Sequence, residues 1–344
     1  MPAASIDFAL AASAMVLITV GAIYGVNMVA EPFLDTEVND LGRYYQIGRY
    51  MLLSQGEPAG WGTGEEPTGL GFAAEGDDYE LDVDKISRLN PSNAYAVNYT
   101  TLWEALNVED VSFRIEFEPL FNISLGLASS QDIGAETVYN FSASTSREGY
   151  PLASTVSYYV AVRDSIYSAA GTTDDDGAGT VEFNIPNSKS GTALLVGIAK
   201  MDESIVSYDV FPFAHESGLP DPAGTYATLS PKDFVLHVDL DPDASALNAA
   251  VFSLDYTFNL TASGSDYEIP RLLDPGPMIL VLTGSNASAY WAEWVPYPQV
   301  PLEMGSDMSA DHVISDVSRV TYMVVIEGAR YRCNVEFRSP EENE

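Results

Sequence analysis

The residue types that most often perform catalysis are scarce in this sequence. Its three histidines, His215, His237 and His312, lie far apart and fit no metal-ligand spacing. The sequence contains no Gly-x-Ser-x-Gly elbow, no phosphate-binding loop and no dinucleotide-binding fingerprint. Its 50 acidic residues include many pairs that could act as acid and base, and this abundance singles out no pair. We therefore predict that the protein is not an enzyme, with no catalytic residue and no cofactor.

Two acidic segments place oxygen ligands close together, as calcium requires. Asp239, Asp241 and Asp243 alternate along one segment, and the other runs from Asp174 to Gly177. The first lacks the glycine and the glutamate that complete a helix-loop-helix calcium loop. The second has the composition of an ordinary hairpin turn. We predict no metal site, and Asp239, Asp241 and Asp243 remain the calcium candidates.

Asparagine and aromatic side chains provide the other candidate sites. Five Asn-x-Ser/Thr sequons are candidate glycosylation sites, and they begin at Asn98, Asn122, Asn140, Asn259 and Asn286. Trp291, Trp294 and Tyr297 belong to a proline-spaced segment late in the chain, which is predicted to be a long irregular connection. We predict that these aromatic side chains are exposed and contact a protein or glycan partner. The alternative is that they fill a small satellite core.

Cys333 is the only cysteine, which excludes an intramolecular disulfide. It alternates with Tyr331 and Val335, the pattern of one face of a strand. The pair Glu327-Gly328 is predicted to turn the hairpin that contains this strand. We therefore predict a buried structural thiol.

The acidic charge is spread along the whole chain. Lysine and arginine total 15 against 50 acidic residues, which gives a formal charge of −35. Concentrated salt screens the repulsion within such a surface over only a few ångströms, so the composition indicates a protein that works in molar salt, as in halophilic archaea. A surface for cationic partners is the alternative. Nucleic-acid binding is excluded, because no basic patch could neutralise phosphates.

An apolar segment near the start predicts a membrane anchor. The 23 residues from Phe8 to Ala30 carry no charge and would span a core of ~30 Å at ~1.5 Å per residue. A cleaved signal would have a basic start and a small-residue cleavage site, so a retained transmembrane helix at 1–32 is favoured. Arg43 and Arg49 would favour a cytoplasmic location for the part of the chain that follows the span. The large size of that part and its sequons favour instead an extracytoplasmic domain of a single-pass protein.

A small α+β module is predicted next to the membrane, at 33–133. Apolar spacing predicts a helix over 35–53. Asp82 and Thr100 are the predicted N-caps of two shorter helices. Residues 111–117 alternate between apolar and charged side chains, which predicts a half-buried strand.

Short strand patterns separated by turns fill the rest of the chain and predict a mainly β fold. Residues 149–153 and 172–177 resemble turns of the immunoglobulin-like repeats in prokaryotic surface proteins. We predict an immunoglobulin-like β-sandwich at 134–213. A second β-sandwich domain is predicted at 214–344, and the best linker candidate, 217–224, precedes its strands.

The first third of the chain carries an ordered series of motifs, at residues 3–8, 52–61, 69–73, 79–86 and 99–106. In this order the series resembles archaeal type IV pilin-like membrane proteins. The resemblance implies a surface protein of a haloarchaeon whose helix anchors the chain or packs with identical helices in a filament. In that family an acidic fifth residue contacts the terminal amine of a neighbouring subunit. With Ala3 as the first residue after prepilin-peptidase cleavage, Asp7 is this subunit-contact residue.

The leading hypothesis is a membrane-anchored, pilin-like cell-surface protein with a structural or adhesive role, including that of a pilus-like filament subunit. Only Met1 and Pro2 precede Ala3, whereas cleavage sites of the family carry a basic residue there. This difference favours the alternative, a non-polymerising envelope protein whose β-sandwiches bind a protein or polysaccharide. A third hypothesis is an anchored hydrolase with two carboxylates in a deep cleft. The predicted partners are membrane lipid, further copies through the N-terminal helix, and a surface protein or glycan.

Overall fold

The computed structural model describes residue 15 and residues 36–76, 79–218, 224–272, 274–287, 289–306, 308 and 317–338. The chain divides into two compact units, Met1–Arg49 and Tyr50–Glu344. Asp7 and almost all of the predicted anchor lie outside the described residues. Within the described part, no helix has both the length and the apolar character needed to cross a membrane.

The helices with bounds in the described part are the α-helices α1 (Thr36–Leu53), α2 (Val83–Ser87) and α3 (Tyr99–Leu106), together with a 3₁₀ helix at Asn187–Lys189. The helix predicted for 35–53 is confirmed. Asp82 caps α2 as predicted, because its side chain accepts hydrogen bonds from two backbone N–H groups of the first turn. The prediction of Thr100 as a cap is wrong. Asn98 caps α3, and its side-chain oxygen accepts a hydrogen bond from the N–H of Thr101 at 2.9 Å.

Most of the remaining described chain is β-structure, which confirms the mainly β prediction. The strands are β1 (Glu80–Leu81), β2 (Ser112–Pro119), β3 (Asn122–Asp132), β4 (Glu136–Arg147), β5 (Tyr150–Pro151), β6 (Ser154–Val162), β7 (Ser165–Thr173), β8 (Ala178–Pro186), β9 (Gly191–Asp202), β10 (Ile205–His215), β11 (Ala227–Lys232), β12 (Val235–Leu240), β13 (Ser245–Phe252), β14 (Thr257–Asn259), β15 (Thr261–Ser263), β16 (Asp266–Glu268), β17 (Met278–Ser285), β18 (Tyr290–Tyr297), β19 (Leu302–Gly305), β20 (Val317–Ile326) and β21 (Ala329–Arg338).

These strands form five sheets in the described part of the chain. Sheet I has the order β1-β20-β21-β2-β19, and only its β1–β20 pair is parallel. Sheet II contains β3, β4, β5 and β8. Sheet III has the order β10-β9-β6-β7, sheet IV the order β14-β13-β17-β18, and sheet V the order β11-β12-β16-β15.

Sheet I joins distant parts of the sequence. β2 alternates buried and half-buried residues, as predicted, and pairs along its full length with β21, so that Phe113 lies opposite Phe337. The final hairpin, β20–β21, thus belongs to the same sheet as β1 and β2 of the module predicted at 33–133, and it is not part of sheet IV or sheet V. The predicted domain limits themselves stay predictions. Alternation shows that one strand face is buried, but it does not identify the strand that pairs with it.

The C-terminal hairpin itself follows the sequence pattern closely. Glu327 and Gly328 both have positive φ, 48° and 74°, which is the geometry of the two-residue turn predicted here. Cys333 is buried on the inner face of β21, as predicted. Burial raises the pKa of its thiol well above the usual range.

Sheet III is buried on both faces. One face packs on sheet II, where Phe141 and Leu195 belong to the same core. The other face packs on sheet IV, where Val196 contacts a core that contains Phe252 and Ile279. In sheet III, β9 is therefore buried from Gly191 to Ala199, which explains why this strand is a continuous apolar run rather than an alternating one. In sheet IV, β17 is likewise buried from Met278 to Gly284. The two predicted β regions therefore share a core between sheet III and sheet IV.

Candidate functional site

Two of the motif segments near the N-terminus meet around Trp61, which is fully buried. Its Nε1–H donates a hydrogen bond to the carbonyl of Gly71 at 2.8 Å, and the ring of Phe72 packs against it edge-on. A Cβ atom on Gly71 would lie 2.3 Å from the carbonyl oxygen of Ser54, so only glycine permits this approach of two backbones. The glycine-rich motif is therefore a packing element.

Lys85 is a buried cation in the same module, with a relative exposure of 1%. Its Nζ donates hydrogen bonds to the carbonyls of Gln55, at 2.9 Å, and Ala73, at 2.8 Å. Burial lowers the pKa of the ammonium, and the charge of Asp82 opposes this shift. Because a buried ammonium must have acceptors, Lys85 fixes the two segments on either side of Trp61.

Asp84, in α2, connects this module to the later sheets. Its buried Oδ1 accepts a hydrogen bond from the hydroxyl of Tyr297 at 2.8 Å and another from the backbone N–H of Asp233 at 2.8 Å. Tyr297 ends β18, and Asp233 lies in the turn between β11 and β12. We call these three residues the Asp84 junction. One carboxylate oxygen therefore holds together a helix and segments of sheets IV and V.

The junction has a pronounced electrostatic character. Burial raises the pKa of Asp84 to about 6, although both hydrogen bonds act to lower it. Burial, followed by the nearby charge of Asp84, raises the pKa of Tyr297 far above its ordinary value. The phenol thus remains a proton donor, and the carboxyl group is the one that titrates. This pair can fix the three segments in a pH-dependent way.

Asn93 extends the polar contacts beside the junction. Its Oδ1 accepts a hydrogen bond from the N–H of Tyr95 at 2.9 Å. Its Nδ2 donates to the carbonyl of Pro231 at 3.2 Å and to Oε1 of Gln299 at 2.7 Å. The backbone N–H of Gln299 donates to the hydroxyl oxygen of Ser87 at 3.3 Å. The segment after β18 is thus tied to the loop after α2.

A cleft of about 340 Å³ lies beside these contacts, and its lining includes Asn90, Thr228, Glu293, Trp294, Pro296 and Gln299. Glu293 is 2% exposed. Its carboxylate accepts hydrogen bonds from the backbone N–H groups of Gly224, Thr225 and Tyr226. Such charge-assisted bonds hold a carboxylate in one position. The cleft therefore has a fixed negative group in its wall.

The expectation of exposed aromatic side chains is wrong for Trp291 and Tyr297, which are 1% and 0% exposed. Trp291 stacks on Tyr226, with ring centroids 5.7 Å apart, and lies against Gly284. The prediction of an irregular connection is also wrong here, because all three residues lie in the strand β18. This strand presents alternate residues to sheet V, which covers them. Trp294 points to the other face of β18 and is half-buried at the cleft. A partner contact at Trp294 stays a prediction.

All five predicted glycosylation sites reach the surface. The exposed ones are Asn98, Asn122 and Asn259, whereas Asn140 and Asn286 are half-buried. The side-chain oxygens of Asn98 and Asn286 already accept local backbone hydrogen bonds. Glycosylation at these sites stays a prediction.

The structure does not assemble the calcium candidates into a site. Asp239, Asp241 and Asp243 are exposed, and no three His, Cys, Asp or Glu side chains in the described ranges converge as metal ligands would. In the other acidic segment, Oδ1 of Asp174 accepts hydrogen bonds from two backbone N–H groups of its own turn, at 3.0 Å. This segment therefore has the turn geometry that its composition indicates.

The two histidines of the described ranges, His215 and His237, make separate contacts. His215 is buried in β10, where its Nδ1 is 2.9 Å from the hydroxyl of Tyr139 and its Nε2 is 3.0 Å from the carbonyl of Pro186. His237 pairs with Asp266 at 2.9 Å on sheet V. His312 is outside the described residues. Asp84, Lys85, Glu293 and Gln299 could not be predicted from the sequence, because their hydrogen-bond partners are distant in sequence.

Comparisons with known proteins add little to this geometry. No protein-family model matches the chain. A search of curated proteins gives no significant match either. Two solved structures of human GIVD cytosolic phospholipase A2, one in complex with methyl gamma-linolenyl fluorophosphonate, are 12% and 11% identical to the chain. They cover 68% and 67% of this chain and 33% of each matched chain, with TM-scores of 0.14 and 0.16. The chain thus spans about a third of their length, and scores this low show no shared fold.

Proposed function

We propose that the chain is a membrane-anchored, pilin-like cell-surface protein of a halophilic archaeon, with a structural or adhesive role. The helix at 1–32 would hold it in the membrane, and Asp7 would contact the terminal amine of a neighbouring copy. The sheets, as two immunoglobulin-like sandwiches, would project outward beyond a membrane-proximal α+β module at 33–133.

The observation that carries this proposal is the packed module around Trp61. Its segments are separate in sequence and resemble the pilin-like family in their order, and Gly71 and Lys85 hold them together. The Asp84 junction supports a structural role, because it ties this module to sheets IV and V. The formal charge of −35 supports a protein that works in concentrated salt.

The first test is the mass of the N-terminal peptide of the membrane-associated protein, in wild-type cells and in a prepilin-peptidase deletion strain. A chain that begins at Ala3 only when the peptidase is present supports a processed, pilin-like subunit. An uncut chain in both strains refutes processing. In processed protein, Asp7→Ala should impair filament assembly and spare membrane insertion, and unchanged filaments would refute the role of Asp7.

The second candidate function is a non-polymerising envelope protein that binds a surface protein or polysaccharide. The cleft next to Glu293 and Trp294 favours it, because small ligands bind in concave sites with a few positioned polar groups. An uncut N-terminus together with retained membrane association would favour this candidate over a filament subunit.

A further inference from the structure

We propose that the cleft beside β18 is a binding site for a neutral saccharide. This inference deepens the second candidate function and rests on it, since it assigns a ligand class to the same outer surface. Three observations carry it: a buried amide with an unused donor, a fixed carboxylate in the wall, and a lining that combines neutral polar and apolar side chains.

Gln299 provides the unused donor. The side chain is 3% exposed, and its Oε1 accepts a hydrogen bond from Nδ2 of Asn93. The orientation of Asn93 is fixed by Tyr95 and Pro231, so the oxygen of Gln299, not its nitrogen, must face Asn93. Nε2 makes no hydrogen bond with any residue in the described ranges. Nε2 is not sealed from solvent and belongs to the lining of the cleft, where it can donate a hydrogen bond to a ligand.

Glu293 determines which ligands the cleft disfavours. Its carboxylate is held in the wall by three backbone N–H groups, and the whole chain has a formal charge of −35. Phosphates, nucleotides and acidic peptides would be repelled at such a surface. The three backbone N–H groups occupy most of the lone pairs of the Glu293 carboxylate, so this group offers little to a cationic group of a ligand. A neutral ligand is the one that remains.

The other lining residues match a sugar. Oδ1 of Asn90 accepts a hydrogen bond from the N–H of Ser92 at 2.9 Å, which leaves the amide nitrogen of Asn90 as a donor. Thr228 adds an exposed hydroxyl group, and Trp294 and Pro296 add apolar surface. A pyranose offers hydroxyl groups at its edge and C–H groups on its faces, so it can use both kinds of lining. The volume of about 340 Å³ is at the small end for ligand sites, which suits one or two sugar residues.

The test uses the full chain in detergent micelles and concentrated KCl, with a panel of methyl glycosides of glucose, galactose, mannose and N-acetylglucosamine. Binding is detected by saturation-transfer NMR and quantified by titration. Gln299→Glu keeps an oxygen for Asn93 and removes the free donor. Thr228→Val removes a hydroxyl group at constant shape. Thr172→Val, at an exposed position of β7, is the matched control.

We expect at least one glycoside to bind with a Kd of ~1 mM or tighter, and each cleft variant to weaken it about tenfold, while Thr172→Val binds as wild type. Far-UV circular dichroism establishes that the variants are folded. The inference is overturned if no glycoside binds, or if both cleft variants bind like wild type. Membrane fractionation of the cells that produce the protein distinguishes failure of the saccharide site from failure of the proposed surface function. Anchored protein without glycoside binding overturns the cleft alone, whereas protein in the soluble fraction overturns the surface function.

Discussion

Replacing Asp84 with asparagine should change the free energy of unfolding in a pH-dependent way. The difference between the variant and wild type should move in favour of the variant as the pH rises from acidic to neutral. Burial raises the pKa of Asp84 from 3.8 to about 6 in the folded state. The fold therefore prefers the protonated carboxyl. The stabilisation from this group is fully present below pH 3.8 and is lost as the pH rises through 6. Asparagine keeps an oxygen for Tyr297 and Asp233 and cannot ionise, so Asp84→Asn lacks this loss.

The size of the effect follows from the shift in pKa. At about 1.4 kcal/mol per pKa unit, the wild-type free energy of unfolding should fall by about 2 to 3 kcal/mol through Asp84 between about pH 4 and pH 7. The difference between Asp84→Asn and wild type should grow by that amount over this range. The contribution from Glu118, whose pKa burial also raises, is present in both proteins and cancels. Glu327 is coupled to Asp84, because the charge of Asp84 adds to the burial that raises the pKa of Glu327, so the measured difference includes this coupling.

The assay is urea unfolding in concentrated KCl, followed by tryptophan fluorescence, since Trp61 and Trp291 are buried. Asp175→Asn, at an exposed turn position, removes the same charge and is the control. Its difference from wild type should stay nearly constant with pH. A pH-independent difference for Asp84→Asn, equal to that of the control, would refute the buried ionisation argued for the junction.

Two further substitutions and one chemical reaction test the packing. Gly284→Ala should lower the free energy of unfolding by about 1 to 3 kcal/mol, because the added Cβ would lie 2.0 Å from the ring of Trp291. Thermal unfolding measures this loss. Lys85→Met should cost about 2 to 3 kcal/mol in urea unfolding, because two buried carbonyls lose their donor. Cys333 should react with a thiol reagent only as fast as the protein unfolds, because burial raises the pKa of its thiol.

Matched positions separate these effects from general ones. Gly218→Ala has open space around its Cβ and should change stability by less than about 0.5 kcal/mol. Lys189→Met removes an exposed ammonium that pairs with Asp164 and should have a similarly small effect. Equal losses at the test and control positions would contradict the packing argument. Reaction of Cys333 in native protein at the rate of a free thiol would contradict its burial.

The candidate site was poorly accessible to sequence reasoning. Asp84 and Lys85 stand beside the recognisable cap Asp82, yet their hydrogen-bond partners come from other segments, which no local pattern indicates. No pattern around Gln299 indicates its role, because its partner Asn93 lies 206 positions earlier. The prediction for Trp291 failed for a related reason. The proline spacing of this segment does not indicate the strand β18, and the burial of Trp291 depends on the position of sheet V, which the sequence does not show.

The sequence alone determined the features that depend on near neighbours. These include the half-buried strand β2, the turn at Glu327-Gly328, the cap at Asp82 and the buried face of Cys333, because turn geometry, capping and alternation act over a few residues. Tertiary structure decided which elements meet. The pairing of β2 with β21, the burial of sheet III on both faces and the Asp84 junction all join distant segments. Their stability depends on surfaces that become adjacent only when the sheets pack, and a linear pattern does not specify those surfaces.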